Sequence, residues 1–150
     1  MIRQTHQEVK TDSEKAVLII YRSTSYGFSS KVNIFLDNQF IGQTKGKCYF
    51  TTKTEPGTHY LAMISENKTC AQLTLETGKI YYILQTIYPG KSSIQSSFSE
   101  SDSDNFSKEI AGLEYLTVVD NKEVPQMFKD DFEETCCFER QKEILTLKFR

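Results

Sequence analysis

Alternation of apolar and polar side chains is the strongest pattern in the centre of the chain. In Thr69–Leu75 three aliphatic residues fall on one face and Cys70 falls among polar residues on the other, because successive side chains of a β-strand point to opposite sides. Thr58–Ile64 divides in the same way, and Ile80–Ile87 is apolar or aromatic on both faces, which is typical of an interior strand. Short turns separate the three runs, so we predict an antiparallel meander.

Similar patterns extend this prediction to most of the chain. They predict strands at Ala16–Arg22, Lys31–Asp37, Phe40–Thr44, Lys47–Thr52, Ile110–Val119 and Ile144–Phe149. Asp120, with Glu123 three residues later, matches a helix N-cap and capping box, which predicts a helix over Asn121–Asp130. The predicted fold is mostly β, an antiparallel β-sandwich of about seven to nine strands with one short C-terminal helix.

Two segments do not follow the strand pattern. Met1–Lys15 is polar and is predicted to be a flexible N-terminal tail or an edge segment, which leaves 16–150 as a single sandwich domain. Ser92–Ser107 is serine-rich and acidic with few apolar residues, a composition that predicts a mobile, solvated insertion in the sheet. A regulatory or partner-binding loop is the alternative for this insertion.

Charge and hydropathy argue against nucleic-acid binding and against a membrane-spanning segment. The formal net charge of −2 gives no basic footprint for nucleic acid. No apolar run approaches the roughly 20 residues that cross a bilayer, and we expect no transmembrane segment. The N-terminus lacks the apolar core of a signal peptide. We therefore expect a cytoplasmic protein if Met1 is the native start, and a cell-envelope protein if an export signal was removed.

The four cysteines leave the compartment open. Cys48 and Cys70 each lie on a predicted strand, either as small buried residues or as partners in one disulfide. Cys136 and Cys137 are adjacent, too close for an easy disulfide with each other. There is no CxxC motif and no neighbouring histidine, so neither a zinc site nor another cofactor is expected.

Few residues suggest catalysis. The chain has two histidines and no nucleophile elbow, P-loop or dinucleotide-binding glycine motif. We expect a non-enzymatic interaction or structural domain that binds an unidentified protein partner, with a carbohydrate-binding sandwich as an alternative. The candidate contact residues are Tyr26, Phe28, Phe40 and His59. The alternatives are that the loop aromatics fold back onto the sheet and that His59 is structural.

A set of short motifs carries a family resemblance. They are Tyr21-Arg22, the Val32–Gly42 strand–turn–strand, Tyr49-Phe50, the Pro56-Gly57-x-His59-x-Leu61 element and the Gly78-x-x-Tyr81-Tyr82 element. Together they resemble the bacterial domain-of-unknown-function family 2846 over roughly Ala16–Val119. The resemblance implies a small β-sandwich similar to PEGA-type surface domains, often found in lipoproteins, and it implies no established activity.

Overall fold

Two facing β-sheets account for most of the described chain, which confirms the mostly-β sandwich. The computed structural model describes residues 2–4, 10–23, 31–37, 39–64, 68–89, 94–117 and 145–147. The elements are β1 (Ile2–Gln4), β2 (Ala16–Arg22), β3 (Lys31–Leu36), β4 (Gln39–Lys45), β5 (Cys48–Thr54), β6 (Gly57–Ile64), β7 (Lys68–Leu75), β8 (Ile80–Pro89), β9 (Ile94–Ser101), α1 (Ser103–Glu109), a 3₁₀ turn (Ile110–Gly112), β10 (Glu114–Thr117) and β11 (Leu145–Leu147).

Nine of these strands have four residues or more, as predicted, and β1 and β11 have three each. The first sheet, sheet A, has the order β1-β10-β5-β2-β8-β9, and the second, sheet B, has the order β11-β7-β6-β3-β4. The structure adds three parallel pairs, β2 with β8, β10 with β5 and β11 with β7, to the predicted antiparallel pairing. The predicted helix over Asn121–Asp130 lies outside the described residues.

The predicted meander is wrong at its second turn. β6 and β7 form the expected hairpin, but β8 leaves sheet B and runs parallel to β2 in sheet A. Gly78, with φ of 74°, forms the turn, and its amide nitrogen lies 3.0 Å from the carbonyl oxygen of Asp12 and 3.3 Å from that of Lys15. These bonds hold the turn beside the start of β2, so the chain passes between sheets there.

The predicted solvated insertion is also wrong for its described part. Ile94–Ser101 is strand β9, paired with β8 over eight positions, and Ser103–Glu109 is helix α1. Ser96 and Phe98 are buried because tertiary contacts cover one face of a strand whose composition is polar. At the N-terminus, Ile2–Gln4 pairs with β10 as an edge strand, which is the second of the two alternatives for that segment.

Three apolar clusters stabilise the described fold. The largest lies between the sheets and includes Leu18, Ile20, Phe50 and Ile83 from sheet A and Val32, Ile34, Leu61, Met63, Ala71 and Leu73 from sheet B. A second covers the outer face of sheet A, where Phe106 of α1 packs on Tyr21 and Tyr49. A third, on the outer face of sheet B, centres on Phe35 and Ala62. Within the described ranges, no helix is both long and apolar enough to cross a membrane.

Candidate functional site

Of the predicted contact aromatics, the structure describes Phe40. Tyr26 and Phe28 lie outside the described residues. Phe40 is half-buried on β4 and meets Phe35 edge-on, with ring centroids 5.7 Å apart. Phe40 therefore folds back onto the outer face of sheet B, as the alternative interpretation predicted.

His59 takes a structural position. Its Nδ1 pairs with Oδ2 of Asp37, and its Nε2 lies 2.6 Å from the backbone oxygen of Glu55. Both ring nitrogens thus lie against oxygen atoms of neighbouring residues. The side chain is 12% exposed. This geometry leaves neither nitrogen directed at a substrate.

Asp37 connects that histidine to the turn between β3 and β4. Its φ of 50° places it in the left-handed region, which aspartate tolerates better than most residues. Oδ1 accepts the Tyr60 amide at 2.9 Å, and the Asp37 amide donates to the Tyr60 carbonyl oxygen at 2.9 Å. Asp37 and His59 therefore lock the β3–β4 turn against β6.

The two candidate disulfide cysteines do not pair with each other. Cys48 is a buried thiol on β5 whose side chain belongs to the cluster between the sheets. On β7, the side chains of Ala71 and Leu73 point into that cluster. Because successive side chains of a strand alternate between its faces, Cys70 points to the outer face of sheet B. The alternative of a disulfide between Cys48 and Cys70 is therefore wrong, because a sheet separates the two sulfur atoms. Cys70 is disulfide-bonded.

A groove that the sequence analysis missed lies at one end of sheet A. We call it the Tyr82 groove; its volume is about 430 Å³, and it is lined by Thr74, Glu76, Lys79, Ile80, Tyr81, Tyr82, Ser101, Asp102 and Ser103. Pockets that bind small molecules commonly have volumes of about 300–1,000 Å³. One wall is the β7–β8 turn and the other is the junction between β9 and α1.

The first wall is held by local polar bonds. The Glu76 amide donates to the Tyr81 hydroxyl at 2.8 Å. The Lys79 ammonium lies 2.5 Å from a carboxylate oxygen of Glu76. Its hydrogen bond holds the pKa of Glu76 below the ordinary value, and the same bond raises the pKa of Lys79. The two opposite charges on this wall therefore largely neutralise each other.

The second wall depends on the cap of α1. Asp102 is extended, and its Oδ1 accepts the Asn105 amide at 2.8 Å while its carbonyl oxygen accepts the Phe106 amide at 3.1 Å. Aspartate is a favoured N-cap because it satisfies an amide that the helix leaves without a partner. An aspartate three residues before Asn105, in a run rich in cap-forming residues, is the signal from which this helix start could have been found.

Aromatic packing positions α1 behind the groove. The Phe106 ring lies 5.2 Å from Tyr21, 5.2 Å from Tyr49 and 5.5 Å from Tyr82, measured between centroids. The Tyr21 hydroxyl contacts Ser101 Oγ at 2.5 Å. Burial raises the pKa of Tyr21 and of Tyr82. Phe106 is the only buried side chain of α1, so this one ring fixes the helix to the sheet.

The Tyr82 groove continues the edge of sheet A. In the described part of the chain, β9 pairs with β8 alone, and its last residue, Ser101, lines the groove. A hydrogen bond of 3.3 Å from Thr69 Oγ1 to the Ser96 carbonyl oxygen joins the other half of β9 to β7. Neither His59 nor Asp37 lines the groove, and no group of three or more metal-binding side chains occurs in the ranges that the structure describes.

Comparison with known proteins adds a family and no activity. No curated protein matches the chain. Residues 12–98, more than half of the chain, match the family described as protein of unknown function (DUF2846). The match covers β2 to β8 and most of β9, so it includes the β7–β8 wall of the groove but not α1. On this evidence the chain belongs to the DUF2846 family.

Proposed function

We propose that this protein is a non-enzymatic interaction domain that binds a segment of a protein partner in the Tyr82 groove. One observation carries the proposal: the groove has a volume of about 430 Å³ and is lined by two tyrosines together with polar and charged side chains. Tyrosine is enriched at protein–protein interfaces, because it combines a large apolar area with a polar group.

Site-specific photo-crosslinking in the native host tests this proposal. A benzoylphenylalanine at Ser103, which lines the groove, should crosslink a defined protein, and the same group at Lys45 of β4 should not. Ser103→Lys should abolish that complex because the longer side chain would occupy the groove. Ser107→Lys, which adds the same charge at an exposed position of α1 outside the lining, is the matched control. Equal crosslinking from Ser103 and Lys45, or a complex that survives Ser103→Lys, would refute the proposal.

A second observation supports a location in the cell envelope. Disulfides persist in oxidising compartments and are rare in the cytosol, and Cys70 is disulfide-bonded. We therefore favour the envelope alternative, in keeping with the lipoprotein-type members that the family resemblance implies. Fractionation of host cells tests it: recovery of the protein from the cytosol with a reduced Cys70 would contradict an envelope location.

The carbohydrate alternative has less support from the aromatic residues. A flat sugar platform needs coplanar exposed rings. Tyr49 and Tyr115 are buried and inclined by 54°, and Tyr21 meets Phe106 at 66°. These rings are packed against one another beneath α1 instead of being presented to solvent.

A further inference from the structure

Resting on the proposed function, we infer that α1 is a displaceable cover, and that the partner segment in the Tyr82 groove inserts an aromatic side chain of its own in place of Phe106. α1 and the 3₁₀ turn connect β9 to β10, which lie on opposite sides of β8, β2 and β5 in sheet A. This connection therefore crosses the outer face of the sheet and is tethered at both ends.

The ring of Phe106 occupies a socket made by three adjacent strands. Tyr49 lies on β5, Tyr21 on β2 and Tyr82 on β8, and we call these three rings the tyrosine socket. Phe106 meets Tyr21 at 66° and Tyr49 at 77°, which is edge-on in both cases. Aromatic rings favour edge-on contacts, because the positive edge of one ring meets the negative face of another. The socket therefore favours a ring over an aliphatic side chain.

The Tyr82 groove and the tyrosine socket share a residue. Tyr82 lines the groove, and its ring centroid lies 5.5 Å from that of Phe106. The groove also reaches Ser103, the first residue of α1, and residues three apart lie on the same side of a helix. Displacement of α1 would thus join the groove and the socket into one surface for a partner segment.

The attachment of α1 is suited to displacement. α1 has seven residues, of which Phe106 is the buried one. Isolated helices shorter than about 12–15 residues are marginal in water, so the helix depends on this contact. A segment with few buried apolar contacts opens locally at a much lower free energy than the strands beneath it.

The family match separates the socket from its occupant. Residues 12–98 match the family, and this range contains all three tyrosines of the socket but not α1. The socket is thus part of the family region, whereas the ring that fills it in this chain is not.

This arrangement predicts that a destabilising substitution increases binding. The apparent affinity of a ligand is reduced by the fraction of molecules whose site is closed. Phe106→Ala empties the socket and should strengthen binding, although it lowers stability. If α1 were part of the binding site, the same substitution would weaken binding.

A blocked peptide with the chain's own sequence Asp102–Gly112 is a suitable probe, because it carries the ring that the socket receives. In NMR titrations of the full chain, it should bind Phe106→Ala at least about tenfold more tightly than the wild type. The same peptide with alanine in place of phenylalanine should bind neither. Phe106→Leu, which keeps most of the apolar contact, should give a smaller gain. Phe35→Leu, a change in the outer cluster of sheet B, should bind as the wild type does.

Photo-crosslinking in host lysate extends the test to the partner. A benzoylphenylalanine at Thr74, an exposed residue on the groove wall that α1 does not form, should crosslink the partner more strongly in Phe106→Ala than in the wild-type background. Excess peptide should suppress that crosslink. Equal or weaker crosslinking in Phe106→Ala, or a peptide that does not distinguish the two chains, would overturn the inference and leave the proposed function standing. No crosslinked protein from Thr74 or Ser103 would overturn both.

Discussion

Replacement of Phe106 by alanine would test how α1 is attached to the sheet. Phe106 is 5% exposed and is the only buried side chain of a seven-residue helix. Burial of a phenylalanine contributes about 1.5–3 kcal/mol, and its edge-on contacts with Tyr21 and Tyr49 add about 0.5–1.5 kcal/mol each. Because so short a helix can detach locally and limit the damage, we expect a loss of about 3 kcal/mol, at the low end for such substitutions.

Urea denaturation followed by circular dichroism would measure this loss in the free energy of unfolding. Hydrogen exchange would show where it arises, since amides of Asp102–Gly112 should exchange much faster while those of β2 and β8 keep their protection. Phe106→Leu retains most of the apolar contact and should cost about 1 kcal/mol. Ser107→Ala, at an exposed neighbour, should stay within about 0.5 kcal/mol. A loss below about 1 kcal/mol for Phe106→Ala, with unchanged exchange in α1, would refute the anchoring role.

Three further predictions follow from other contacts. His59→Ala should lower the free energy of unfolding by about 1–2 kcal/mol, because both hydrogen bonds of the imidazole are lost; urea denaturation measures it. Glu76 has a lowered pKa, so its contribution to stability is present above its ordinary value of 4.5 and is lost as the pH falls. Glu76→Gln should therefore make unfolding less sensitive to acid, as thermal melts across that range would show. In a non-reducing tryptic digest, the peptide that carries Cys70 should be recovered in a disulfide-linked form that lacks the Cys48 peptide, since Cys48 is a thiol.

Each of these three predictions has a control variant or a result that would contradict it. Thr58→Ala, beside His59 but exposed, should have little effect, and an equal loss in both variants would argue against the Asp37–His59 lock. If the acid transition were identical in the wild type and Glu76→Gln, the ion pair of Glu76 with Lys79 would not contribute to the pH dependence of stability. A linked peptide that contains Cys48–Lys53 would contradict the assignment of Cys48 as a thiol.

Local patterns were sufficient to locate most strands and their buried faces. Ala16–Arg22 was predicted with the bounds that the structure has, because a run that is apolar on both faces can be accommodated only where both sides are covered. The faces of β6 were also correct, with Leu61 and Met63 between the sheets and Ala62 on the outer side. Here the alternation of side chains leaves one way to bury the apolar face.

The candidate site was less accessible to such reasoning. His59 was a candidate contact and is instead held by Asp37 and Glu55, residues 22 and 4 positions away. The Tyr82 groove joins the β7–β8 turn to the start of α1, about 25 positions later. No local sequence pattern predicts that these two segments lie side by side, because their proximity depends on which strands become neighbours.

The sequence alone determined the strand periods, the mostly-β class and the family, since these follow from the residues and the alternation of side chains along each segment. Tertiary structure decided that β8 joins β2 instead of β7, that a serine-rich segment becomes β9, and that Cys48 and Cys70 face different layers. A glycine turn permits a hairpin or a passage between sheets equally well. The choice is made by distant partners, the carbonyl oxygens of Asp12 and Lys15, and only the folded chain brings them to the turn.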